Sequence, residues 1–202
     1  NALTSTLVVV GGALGGTAQV VLWALVLLEW VTPHLIENEG FVIAPSHFVE
    51  RHGLVVLIAL GESVVAIGIG AAGLPVTFEL ALVAVVGLLL CAAMWWTYFG
   101  GDDAAAEEAM HALPVPARPL VAIDAYGYSH MALLLGIIAV AVGLKKATGH
   151  AYDALETAPA LALAGGAALF LAGDVFYRWR LRIGTSAPRA LGALLALATL
   201  PL

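Results

Sequence analysis

HFVERHGLVVLIALGESVVAIGIG, residues 47–70, decides how this chain is read. Its first six residues include His47, Glu50, Arg51 and His52. The eighteen that follow are almost all apolar, which as a helix approaches the roughly 30 Å of a bilayer core. One acid, Glu62, stands in the middle of that run. A charge in hydrocarbon is costly, so such a residue normally faces other helices or a wet cavity. The stretch predicts a membrane-spanning helix with one special face.

The rest of the chain has the same character. Of its 202 residues 62% are hydrophobic and 11% charged, where a soluble domain would be about one quarter charged. Apolar segments run over about 4–31, 47–70, 76–99, 119–144, 159–181, and from Pro188 to the end. They predict an all-α fold, a polytopic transmembrane bundle of about six helices, forming one domain over 1–202. Glu29, Trp30 and Pro33 close the first segment, and the connection 32–46 is mildly acidic. Trp95, Trp96 and Tyr98 close the third, where aromatic residues suit the membrane–water interface. Within GGDDAAAEEAMHALPVPAR, residues 100–118, AAAEEAMHAL reads as a short surface helix.

If the segments alternate, Arg51, Arg118, Arg178, Arg180, Arg182 and Arg189 share one side, and Lys145 and Lys146 the other. That excess places the arginine-rich loops in the cytoplasm, beneath the cell membrane. The net charge of −6 argues against nucleic acid as a partner. Cys91 is the one cysteine, so no disulfide forms within the chain, and it reads as a small core or lipid-facing residue. Asn1 at the start and apolar residues up to the end read as cuts through a longer chain. The expected partners are the lipid bilayer and missing N-terminal helices of the same protein. G-x-x-x-G spacings at Gly11–Gly15 and Gly12–Gly16 read as close helix packing, with a homo-oligomer face as the alternative.

The ionisable residues within the apolar segments are Glu62, Asp124, His130 and Asp174. His47, Arg51, Leu54, Ile58 and Glu62 fall on one helical face, with Glu62 roughly 16 Å deeper than Arg51. In RPLVAIDAYGYSHMALLLGIIAVAVGL, residues 118–144, His130 lies roughly 18 Å from Arg118, and Asp124 about 9 Å. Glu62 and His130 thus reach a similar depth, and a carboxylate–imidazole pair is expected between them. Such a pair can titrate near neutral pH, as a proton carrier requires, or can simply join two helices. Asp124 with Tyr128, and Tyr126 with His130, are spaced for polar ladders on two faces. Asp174 and Arg178, at i and i+4, read as a local salt bridge. No H-E-x-x-H or other metal motif is present, and no metal or cofactor is expected.

With these residues assembled, the chain resembles the bacterial low temperature requirement A membrane protein family. His47, Glu50, Arg51, Gly53, Glu62 and Ser63 carry the match in HFVERHGLVVLIALGESVVAIG. Asp124, Tyr126 and His130 carry a second, in the segment leading into YGYSHMALLLGIIAVAVGLKKA, and FYRWR at 176–180 adds a weaker third. The family's E-L-F-F-D-L-V-F-V-like first helix is absent, so the resemblance implies the C-terminal half of a longer protein. Ile123 stands where the family often has a basic residue, which leaves the partner of Asp124 open. The resemblance implies a polytopic helical protein of the bacterial inner membrane and supplies no substrate.

Two functions are expected from this reading. The first is proton-linked secondary transport or permeation of a small solute or ion. Glu62 and His130 would then titrate, while Arg51 and Asp124 gate the cytoplasmic side. The alternative is a structural or stress-adaptation membrane protein without transport, in which Glu50 and Arg51 fix an interface. Gly61-Glu62-Ser63 sets a hydroxyl beside an acid, but no base accompanies it, and an enzyme is not expected.

Overall fold

The computed structural model describes residues 2–29 and 42–200, and those residues are helical with short connections. Trp30, Pro33 and most of the 32–46 connection lie outside the described residues. The chain divides into two compact units, Asn1–Val42 and Ile43–Leu202.

In the first unit, α1 (Ala2–Leu14) and α2 (Gly16–Glu29) replace the expected single spanning helix. Gly15 and Gly16 break it, with φ of 67° and 52°. Only glycine takes such angles without strain. α2 folds back on α1, and the Trp23 indole N–H donates to the Val8 carbonyl at 3.3 Å. Gly11 is small because Trp23 lies against it: a methyl there would come within 2.9 Å of the indole nitrogen. The G-x-x-x-G spacing therefore belongs to a hairpin turn. Gly12, Gly15 and Gly16 meet no other group within 4 Å. Each arm is about 20 Å long, short of a full bilayer crossing.

The second unit is an all-α bundle with four rods long and apolar enough to cross a membrane: Pro45–Ala71, Phe78–Ala112, Val115–Ala147 and Thr157–Leu181. α3 (Pro45–Ala71) starts on a proline, which suits a first helical turn. Gly73, at φ 78°, and Pro75 then stop the chain. α4 (Phe78–Phe99) is capped by Thr77, whose hydroxyl accepts the Leu80 N–H at 3.2 Å. Gly101, at φ 118°, separates it from α5 (Asp102–Ala112). α6 (Arg118–Ala122) continues through a wide π turn, Ile123–Tyr128, into α7 (Ser129–Ala147). α8 (Thr157–Leu181) and α9 (Ala187–Ala198) complete the order. α9 has only 12 residues, so the sixth expected span is also too short. Among the described residues, four helices rather than six are long and apolar enough to cross a membrane.

α7 and α8 run antiparallel in the closest contact of the bundle. Gly136 and Gly143 face Gly166 and Leu163, and Gly173 faces Ala132. A methyl on Gly136 would stand 2.6 Å from the Phe170 nitrogen, and one on Gly166 2.8 Å from the Gly136 oxygen. Small residues let backbones approach where lipid removes the usual hydrophobic drive. α3 lies parallel to α7, and Ser63 Oγ donates to the Ile137 carbonyl at 3.4 Å. α4 packs antiparallel to α3, with Gly87 under Ile67 and Gly53 under Phe99. Val56, Leu133, Ile137, Val140 and Phe170 fill the centre, fully buried, with Cys91 beside them. α5 forms where a helix was expected, but it is not merely a surface element. Its Ala106 and Met110 are fully buried against the ends of α3 and α8.

Two aromatic levels mark the bilayer. Trp95, Trp96 and Trp179 are exposed at the arginine-bearing end, and Phe78 and Tyr152 at the other. Trp96 and Phe78 are eighteen residues apart, or about 27 Å of helix, close to the hydrocarbon thickness. Glu62 lies midway, about 15 Å along α3 from His52 and about 14 Å from Ala71.

Candidate functional site

His130 begins the site, because the π turn aims it inward. A π turn lengthens the backbone bonds to i→i+5 and leaves carbonyls open to side chains. The Ser129 hydroxyl donates to the Asp124 carbonyl at 3.2 Å. His130 Nδ1 lies 3.0 Å from the Ala125 carbonyl. A carbonyl only accepts, so Nδ1 carries the proton and neutral His130 has a bare Nε2. The Tyr98 hydroxyl, 2.8 Å from Nε2, must therefore donate to it. Beside this pair, the Tyr177 hydroxyl donates to that of Tyr126 at 3.0 Å.

These rings form one buried cluster. Tyr126 stacks on His130 at 4.9 Å between centroids, and Tyr177 lies 5.4 Å from the same ring. His52 comes from α3 with its ring 5.4 Å away, its Nδ1 bound to the Phe48 carbonyl at 2.8 Å. Tyr98 and Tyr177 are fully buried, and Tyr126 and His130 nearly so. The cluster thus joins α3, α4, α7 and α8 at the level of Trp95 and Trp179, not at the bilayer centre.

Above it lies a network of ion pairs among α5, the π turn, α8 and α9. Asp102 pairs with Arg178, and also with Arg189 at 3.0 Å. Arg189 also pairs with the fully buried Asp174 and donates to the Thr97 carbonyl at 3.1 Å. Asp124 pairs with Arg180 from α8, which answers the question left by Ile123. The expected local bridge between Asp174 and Arg178 is replaced, because each finds its partner on another helix. Arg118 has a structural task, donating to the carbonyls of Leu113, His111 and Ile43 at 3.1–3.4 Å and pinning the proline-rich connection.

The expected pair of Glu62 and His130 does not form. The stripe His47, Arg51, Leu54, Ile58 and Glu62 does share a face, but that face points outward and every member is exposed. Val56, Leu60 and Ser63 take the inward face instead. Glu62 and Arg51 have no ion-pair partner among the described residues, and Arg51 pairs with neither Asp124 nor Glu50. Glu50 lines a groove with Asp103 and Glu107. Ser63 is a buried hydrogen-bond donor to α7, facing away from Glu62. Of the expected site residues, Tyr126 and His130 come together, with Asp124 in the adjoining network. His52, Tyr98, Tyr177, Asp102 and Arg189 were not anticipated. Counting depth from the arginines hides them, because His52 adjoins Arg51 while His130 lies twelve residues from Arg118 and α4 carries no arginine. Among the described residues no group of three or more His, Cys, Asp or Glu side chains could hold a metal.

No curated protein and no solved structure matches this chain. The family model for Bacterial low temperature requirement A protein (LtrA) matches residues 1–202. Its match covers the buried cluster, the ion-pair network and every apolar helix described above, and the chain belongs to the bacterial low temperature requirement A family of membrane proteins.

Proposed function

We propose that this chain is the switching part of a proton-linked secondary transporter or permease for a small solute or ion, and that Tyr98–His130 is its proton-responsive element. The observation that carries the reading is the bond between the Tyr98 hydroxyl and His130 Nε2. Nδ1 is committed to a backbone carbonyl, so a proton can be gained only at Nε2. The Nε2 partner is a hydroxyl, which reverses its bond when the ring is protonated. A carboxylate there would instead hold the ring charged. Protonation places a cation between α4 and α7 and biases their packing. This role passes from Glu62 to Tyr98. In this reading the protein is not an enzyme, its arginine-bearing end is cytoplasmic, and further helices or a second copy cover Glu62.

The test is proton flux in liposomes holding the full protein and a pH-sensitive dye, after an external acid step. Flux in the wild type that is lost in His130→Gln supports the reading. Equal flux in both sinks it. A second reading, a structural membrane protein without transport, is favoured by the centre of Val56, Leu133, Ile137 and Phe170, all fully buried. There the wild type shows no flux, and His130→Gln only lowers the thermal midpoint.

A further inference from the structure

At the end of α8, Arg178, Trp179, Arg180, Arg182 and Gly184 line a pocket of about 500 Å³. We propose that this pocket binds a phosphate group, with Arg182 as its main charge.

The argument begins with charge. Arg178 and Arg189 are answered by Asp102 and Asp174, and Arg180 by Asp124. Arg182 is exposed and has no acidic partner among the described residues. The pocket therefore holds one cation in excess. Its wall adds a donor that nothing satisfies. Arg178 is only 9% exposed, and its Nε has no hydrogen-bond partner. A buried N–H of a charged group without an acceptor is costly, and a small shift of the Gly184 turn that seals it would offer it to an oxyanion in the pocket.

The backbone gives a third observation. α8 ends with the Ile183 N–H on the Arg178 carbonyl at 3.0 Å, and Arg182 occupies the left-handed position of that turn, at φ 58°. Glycine is the residue that fits there without strain. Arginine at that position costs about 1 kcal/mol or more, although Gly184, two residues on, shows glycine in use at φ 66°. A methyl on Gly184 would come within 2.5 Å of Arg178 Nη2, so the chain closes tightly over that guanidinium. The strain is tolerated where the guanidinium of Arg182 serves the pocket.

A phosphate here has two sources. One is the headgroup of an anionic lipid, which the exposed Trp179 at the membrane interface favours. The other is soluble phosphate. The experiment measures the thermal midpoint of the full protein in zwitterionic detergent, with added phosphatidylglycerol or with inorganic phosphate. Arg182→Gln and Arg182→Gly serve as variants. A rise in midpoint with phosphatidylglycerol alone, lost in both variants, assigns the lipid headgroup. A rise with inorganic phosphate as well, also lost in both, assigns the soluble ion. Arg182→Gly relieves the backbone strain, so it starts from a higher midpoint than the wild type while losing the shift. A shift that survives in Arg182→Gly, or no shift with either addition in the wild type, overturns the proposal.

Discussion

Tyr98→Phe removes one oxygen and leaves His130 Nε2 buried without a donor. An unsatisfied buried acceptor costs about 1–3 kcal/mol. A lowered thermal midpoint in detergent is expected, and an unchanged one would show that the bond carries no energy. Asp102→Ala is the harsher change, because two arginines lose a carboxylate at once. Breaking a buried charge cluster costs about 3–5 kcal/mol, so little folded protein should be recovered. His130 was legible in the sequence as a polar residue inside a membrane segment. Its partner was not. Helical spacing shows which residues share a face, and Glu62 does share one with Arg51 and His47. It does not show whether that face points in or out, since Leu54 and Ile58 satisfy lipid and core alike.

Glycines decide contact at the scale of the helices. Gly136→Leu forces side-chain atoms into the α8 backbone and should separate α7 from α8. Overpacking costs about 1–3 kcal/mol. Gly61→Ala and Gly68→Ala meet nothing within 4 Å, and alanine in a helix gains about 1 kcal/mol over glycine. Thermal midpoints of the three variants should move in opposite directions. The apolar runs that build α3, α4, α7 and α8 could be read directly, because a bilayer demands about 20 apolar residues per helix. The first run misled because its break depends on φ at Gly15 and Gly16, and hydropathy is blind to it. The seam of Gly136, Gly143, Gly166 and Gly173 was missed because its seven-residue spacing lies inside runs already apolar.

For the whole molecule, the two aromatic levels predict which positions meet water. In the full protein in sealed vesicles, an impermeant thiol reagent should label Ser46→Cys and Thr185→Cys from one side and Tyr152→Cys from the other. Val86→Cys, at mid-depth, should resist. Labelling of Ser46→Cys and Tyr152→Cys from the same side would break the assigned span count. The bundle was legible as membrane helices, but its cap was not. α5, the π turn and the charged end of α8 are held by cross-helix ion pairs, and a linear sequence carries no sign of which arginine answers which aspartate. The glycine seam also divides labour within the bundle. α7 and α8 touch through backbone atoms, so no change of rotamer can loosen them, and they act as a stator. Apart from Gly70, where α3 closes on the Lys145 carbonyl, α3 and α4 hold the bundle through side chains such as Ile67, Met94 and Phe99, which can repack. Under the proposed function, the stroke would be a swing of α3 and α4 about that fixed pair, with Tyr98 at the moving end of the lever.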